Sequence, residues 1–342
     1  MARWSDQFGR RRSYVGLYLV LAVAGAAFAL TSNVAVLVLV ALTGALSTDI
    51  VDNGPFTSLE QAMLATELAG TERIRGFGLY NAVAAAAGSL GALASGGPEF
   101  VRSAHPGLPS DQRFFLLFVP VALAGAVVAN GLSPQVEAVR VGSRATRTPL
   151  GPSRPRVVRL AALFAMDSFG GGFVVQAFIA YWFELRFHAS VGTMGLAFFA
   201  IGVLQTVSFL ASTPLAERFG LLSTMVFSHL PSNVLLGLIA FAPNLTIALG
   251  LLLSLSVLSK MDVPTRQAYV MALVEPPQRT AAAGYTNTAR YLVRPVGPVL
   301  AGAGQNVFLG MPFVVAATVK ASYDLILWRW FRKIELPDEP AP

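Results

Sequence analysis

Long apolar runs separated by short polar breaks recur from one end of this 342-residue chain to the other, and they leave it few ways to fold. Runs long enough to cross a hydrocarbon core of about 30 Å as helices extend over roughly 13–31, 34–65, 76–96, 114–132, 157–183, 191–212, 221–241, 245–274, 280–302 and 311–331. Inside a bilayer each segment must satisfy its own backbone polar groups, which makes such runs helical. Only 13% of residues are charged and mean hydropathy is +0.61, against about 25% charged in a soluble domain. The expected fold class is an all-α polytopic membrane protein with about ten transmembrane helices.

The composition also excludes several functions. A net charge of +7 could suit nucleic acid, but that requires a basic surface facing water, so no nucleic-acid partner is expected. Cysteine is absent, which removes disulfides and thiolate chemistry. His105, His188 and His229 are scattered without metal-ligand spacing, so no metal is expected. No nucleophile–base set appears, and the chain reads as neither an enzyme nor a cofactor binder. Its expected partners are the lipid bilayer and a small-molecule substrate, with the chain acting as a monomer.

Basic residues set the expected orientation. Seventeen lie at the termini and in alternate loops: Arg3, Arg10 to Arg12, Arg73, Arg75, six arginines between positions 140 and 159, Arg218, Arg279, Arg329, Arg332 and Lys333. The opposite loops hold three, Arg102, Arg113 and Arg186. This asymmetry places both termini in the cytoplasm, as a multi-pass protein of a bacterial inner membrane. The stretch 131–160 carries six arginines against Glu137 alone, with Pro, Gly and Ser between them. It divides the chain into an N-terminal bundle (1–131), a basic linker (132–156), a C-terminal bundle (157–335) and a short tail (336–342).

The two bundles echo each other. A shift of 206 residues puts Gln61, Ala62, Arg73, Gly78, Asn81, Gly91 and Gly96 on Gln267, Ala268, Arg279, Gly284, Asn287, Gly297 and Gly302. Likewise "DQFGRR" at 6–11 matches "ERFGLL" at 217–222, each in a loop expected to be cytoplasmic. Related halves joined by a basic loop are a pattern of secondary transporters.

On these residues the chain resembles the major facilitator superfamily. That family carries a GxxxDRxGRR motif between its second and third helices, matched here at Asp6, Gly9, Arg10 and Arg11. The chain departs from it at Ala2 and Gln7. Glu217, Arg218 and Gly220 resemble the echo in the family's second half. The resemblance implies a fold of two pseudo-symmetric bundles, with the motif residues acting at a cytoplasmic gate. It also implies that run 13–31 is the family's third helix, with two helices missing before Met1. Reading that run as a signal peptide fits poorly, because it exceeds the usual apolar length of about 7–15 residues.

Ionisable groups at a helix centre cost about 2.5–3.5 kcal/mol each to insert, so those that occur point to function. In run 34–65, Asp49, Asp52, Asn53 and Thr57 make one polar stripe. Close carboxylates repel and favour a shared proton, so Asp49 and Asp52 are candidate proton carriers. Asp167, beside three glycines, is a third, with Gln176 further along. Lys260, Asp262 and Arg266 occupy run 245–274; Asp262 and Arg266 are i, i+4 neighbours able to neutralise each other, and Pro264 marks an expected kink. Asn287, Arg290 and Arg294 share a face at i, i+3 and i+7, suited either to a substrate anion or to a salt bridge between halves. By resemblance, runs 34–65, 157–183 and 245–274 line the family's central cavity.

The expected function is therefore secondary active transport of a small organic solute by alternating access, coupled to protons, with export one direction open to it. The alternatives are a non-transporting truncated membrane protein and a facilitator without ion coupling.

Overall fold

The structure, a computed structural model, describes residues 9–43, 56, 60, 63, 64, 70–94, 97, 111–133, 150–275 and 278–334. Among these residues all regular structure is helical, and eight helical stretches are long and apolar enough to cross a bilayer. Asp6, Asp49, Asp52, Asn53 and Thr57 lie outside the described residues, as do most of the expected linker and the tail.

The described residues form two compact units. In the first, α1 (Arg10–Leu30) packs along α4 (Phe118–Asn130), which a 3-10 turn at Asp111–Leu117 precedes. A glycine on each helix receives an aromatic ring of the other: Gly25 faces Phe118, and Gly125 faces Tyr18. Without a side chain at those points the helices can approach closely, the usual basis of packing where lipid removes any hydrophobic drive. Between them, α2 (Val34–Leu42) starts at Asn33, whose Oδ1 accepts the Ala35 N–H at 3.0 Å and caps the free end. Tyr14, Tyr18 and Phe56 meet edge to face, and the Tyr14 hydroxyl bonds Glu60 Oε1.

The second unit holds α3 (Gly70–Ala94, of which 70–93 belong here) and nine further helices. These are α5 (Arg154–Gly172), α6 (Gln176–Phe187), α7 (Val191–Phe219), α8 (Leu221–Ile239), α9 (Leu245–Leu258), α10 (Asp262–Ala272), α11 (Arg279–Val293), α12 (Val296–Gly304) and α13 (Met311–Phe331). Small residues join α3 to α7: a Cβ on Gly202 would overlap Ser89, whose hydroxyl donates to Phe199 O at 2.7 Å. Asn81, fully buried on α3, donates to Gln267 Oε1 on α10 at 3.3 Å.

Three of the expected spans are broken. The run 157–183 divides into α5 and α6 where Gly170–Gly172 loosens the ladder and tighter i→i+3 bonds replace it, Phe173 N to Gly170 O and Val174 N to Gly171 O. The run 245–274 divides at 259–261, before Pro264. That proline stands in the first turn of α10, where its missing N–H removes no helical bond, so it begins a helix rather than kinking one. The run 280–302 divides at Arg294–Pro295.

Apolar packing in this unit forms two layers. One gathers Phe164, Met225, Tyr269, Tyr323 and Phe331; the other gathers Phe173, Trp182, Leu236, Ala248 and Phe313. Along α5, α8 and α13 the residues between the layers are polar. Large apolar side chains such as Val203, Leu292 and Val299 are exposed instead, as expected for surfaces that meet lipid.

Candidate functional site

The polar residues between the layers form one buried ionic cluster. On α5 the buried positions Val157, Leu160, Phe164, Asp167 and Ser168 recur at i, i+3 and i+4, so the stripe that builds the core carries Asp167 inward. On α8 the same spacing buries His229 and Asn233, and on α13 it places Lys320 one turn from Asp324. Asp262 and Arg266 come from the first turns of α10, immediately after the break that separates it from α9.

Asp167 is the hub. Its Oδ2 accepts from Arg266 Nη1 at 3.3 Å, its Oδ1 is bonded by Lys320 Nζ, and His229 Nε2 lies 3.8 Å from the same Oδ1. Arg266 Nη1 also reaches Asp262 Oδ2 at 3.1 Å, and its guanidinium stands 5.6 Å above the Phe164 ring. On the far side of the imidazole, His229 Nδ1 is 2.9 and 3.0 Å from the two oxygens of Asp324, which also accepts the Asn233 amide at 2.8 Å. Tyr323 closes the group, its ring edge-on to His229 and its buried hydroxyl without a hydrogen-bond partner among the described residues. Asp324 is fully buried, and Asp167, His229, Asp262 and Arg266 are nearly so; Lys320 keeps the most exposure. Four helices are thereby held at one level by charge.

A buried charge is tolerated only when paired. The cluster contains three carboxylates, two basic side chains (Arg266 and Lys320) and one imidazole. With every acid ionised it carries one negative charge in excess until the imidazole is protonated. A single proton therefore decides whether the group is neutral.

Above the hub, α5 is fastened to α11 and α12. The Ser168 hydroxyl donates to Arg290 O at 3.0 Å, and a Cβ built on Gly172 would come within 3.0 Å of Gly297 Cα.

The other expected residues are placed as follows. Asp262 and Arg266 pair as their spacing suggests, and Arg266 also engages Asp167. Gln176 begins α6, half-buried. Lys260 is half-buried in the turn between α9 and α10. Arg290 is buried, with Asn287 and Arg294 half-buried beside it on α11 and at its end. Gly9 (φ 93°) and Gly220 (φ 83°) share a backbone conformation that L side chains rarely adopt, and each immediately precedes a helix. Arg10 opens α1, Arg11 donates to Leu132 O at 3.5 Å, and Glu217 and Arg218 end α7 with the Arg218 guanidinium over Phe219.

His229, Asn233, Lys320, Tyr323 and Asp324 were not among the expected site residues. The local signal for two pairs was present: His229 with Asn233, and Lys320 with Asp324, stand at i, i+4 inside otherwise apolar helices.

Comparison with known proteins gives three findings. The family model described as Major Facilitator Superfamily matches residues 1–298. An uncharacterized membrane protein of Saccharomyces cerevisiae is 24% identical over 361 residues, which span 95% of this chain and 80% of the yeast protein. The crystal structure of the human organic anion transporter MFSD10 (TETRAN) aligns with a TM-score of 0.67 at 21% identity, covering 94% of this chain and 78% of that one.

Proposed function

The chain belongs to the major facilitator superfamily, a family of membrane transporters rather than enzymes, and from that premise we propose that it moves a small organic solute by alternating access, driven by protons bound at the Asp167–His229–Asp324 cluster. The observation that carries this reading is the charge count of the cluster. Neutrality in a low-dielectric interior needs one proton in addition to Arg266 and Lys320. Loss of that proton leaves excess negative charge among side chains that tie α5, α8, α10 and α13 together. The cluster must then rearrange or admit a cation, and this links protonation to helix movement.

Asp49 and Asp52 are a second proposed proton site, on the grounds of their spacing. The proposed gate residues are Asp6, Gly9, Arg10 and Arg11 with Glu217, Arg218 and Gly220, and the proposed cavity residues are Asn53, Thr57, Gln176, Lys260, Asn287, Arg290 and Arg294. Both termini are proposed to be cytoplasmic, with the protein acting as a monomer. Organic anions are the first substrate class to test, since α11 and its end supply Arg290 and Arg294 and a human protein of the same fold is an organic anion transporter.

The test uses the full chain in proteoliposomes, a panel of radiolabelled organic anions and an imposed pH gradient, applied in each direction to separate export from uptake. Uphill accumulation that a protonophore collapses is expected. Accumulation that ignores the gradient, and is unchanged by His229→Gln and by Asp49→Asn with Asp52→Asn, would remove the proton from the account.

A further inference from the structure

A second charged feature lies at the end of the α5–α13 pair, away from the buried cluster. Arg159 on α5 and Arg329, Trp330 and Lys333 at the end of α13 line an open crevice of about 420 Å³. Its walls are fixed from behind, because Leu160, Leu327 and Phe331 are locked into the apolar layer beneath. Arg156 and Arg332 add exposed positive charge at the same end of these two helices. No carboxylate of the described residues comes within ion-pair distance of Arg159, Arg329 or Lys333.

We propose that this crevice binds the phosphate headgroup of an anionic phospholipid. Unneutralised guanidinium and ammonium groups call for an anion, and arginine matches the two free oxygens of a phosphodiester. The surroundings select a lipid over a free ion. Trp330 is 52% exposed at the end of an apolar span, where an indole sits at headgroup level. On the same two helices, next to Arg159 and one turn before Arg329, Val158 and Leu325 are 47% and 57% exposed and leave apolar surface near the cations for an acyl chain. Basic pockets between transmembrane helices hold lipid headgroups in this manner. The feature is independent of the transport proposal, since none of its residues belongs to the ionic cluster.

The experiment is native mass spectrometry of the full chain in detergent, titrated with dioleoyl phosphatidylglycerol, dioleoyl phosphatidylcholine or inorganic phosphate. The wild type is expected to retain the glycerol lipid in preference to the choline lipid. The combined substitution Arg159→Gln, Arg329→Gln and Lys333→Gln is expected to weaken that retention roughly a hundredfold. Arg186→Gln, at another exposed cation, should leave it unchanged, and Arg159→Lys with Arg329→Lys should keep most of it, which shows that charge rather than folding is being read. Equal retention by the triple glutamine variant would overturn the proposal. So would displacement of the lipid by inorganic phosphate at equal concentration, which would make this a free-anion site.

Discussion

His229 Nδ1 sits 2.9 and 3.0 Å from the two carboxylate oxygens of Asp324, a partner 95 residues further along the chain. With Nδ1 held between both oxygens of Asp324, Nε2 is directed at Asp167, 3.8 Å from its Oδ1. In the proposed mechanism the proton that exchanges is the one on Nε2, which faces Asp167. In that proposal the Asp324 contact orients the imidazole and Asp167 responds to its charge.

Removing different acids from the cluster should give different results. Asp324→Asn leaves two carboxylates, Asp167 and Asp262, against Arg266 and Lys320, so neutrality no longer needs a proton. That variant is expected to remain folded and to lose proton-driven accumulation, read by flux in vesicles and thermal unfolding in detergent.

Asp167→Asn gives the same formal count but strips Lys320 and His229 of a partner and leaves Arg266 with Asp262 alone. Breaking a buried pair in this way costs about 3–5 kcal/mol. A lowered unfolding midpoint is expected, partly restored when Lys320→Met is added to remove the orphaned ammonium.

The fastening of α5 to α12 makes a prediction within three adjacent glycines. Gly172→Ala places its methyl against Gly297 and should destabilise by about 1–3 kcal/mol through overpacking. Gly171→Ala meets nothing within 4 Å and should be neutral or slightly stabilising. Thermal unfolding of the two variants side by side provides the comparison.

Gly9 and Gly220 should respond alike. Forcing a side chain into the left-handed region costs about 1–2 kcal/mol, so Gly9→Ala and Gly220→Ala are each expected to lower stability. Gly16→Ala, in the middle of α1 with open space around it, should not. Equal midpoints for all three would show that the shared conformation is not required.

What could be read from the sequence was local. Apolar runs announced the spans because each depends on its own length and hydropathy. The likeness of 6–11 to 217–222 is mirrored in Gly9 and Gly220, since both stretches need a backbone turn that glycine alone adopts without strain. Arg266 and Asp262 were legible as an i, i+4 pair. The hub was not, because it depends on which face of α8 meets which face of α13, and the chain separating them encodes no such pairing. His229 looked isolated for the same reason, its partners lying on α5 and α13. The breaks in the long spans were half-legible: three glycines loosen α5 where they stand, whereas the break before α10 lies ahead of the proline expected to cause it.

If protons bound at His229 drive transport, anion flux must itself move protons. Vesicles holding the reconstituted full chain and a trapped pH-sensitive dye are given an outward gradient of a transported organic anion, with no pH difference imposed. A dye signal is expected for the wild type, disappearing in His229→Gln while downhill movement of the anion persists. An undiminished proton signal in His229→Gln, or anion flux in the wild type with no proton movement, would contradict proton coupling at His229.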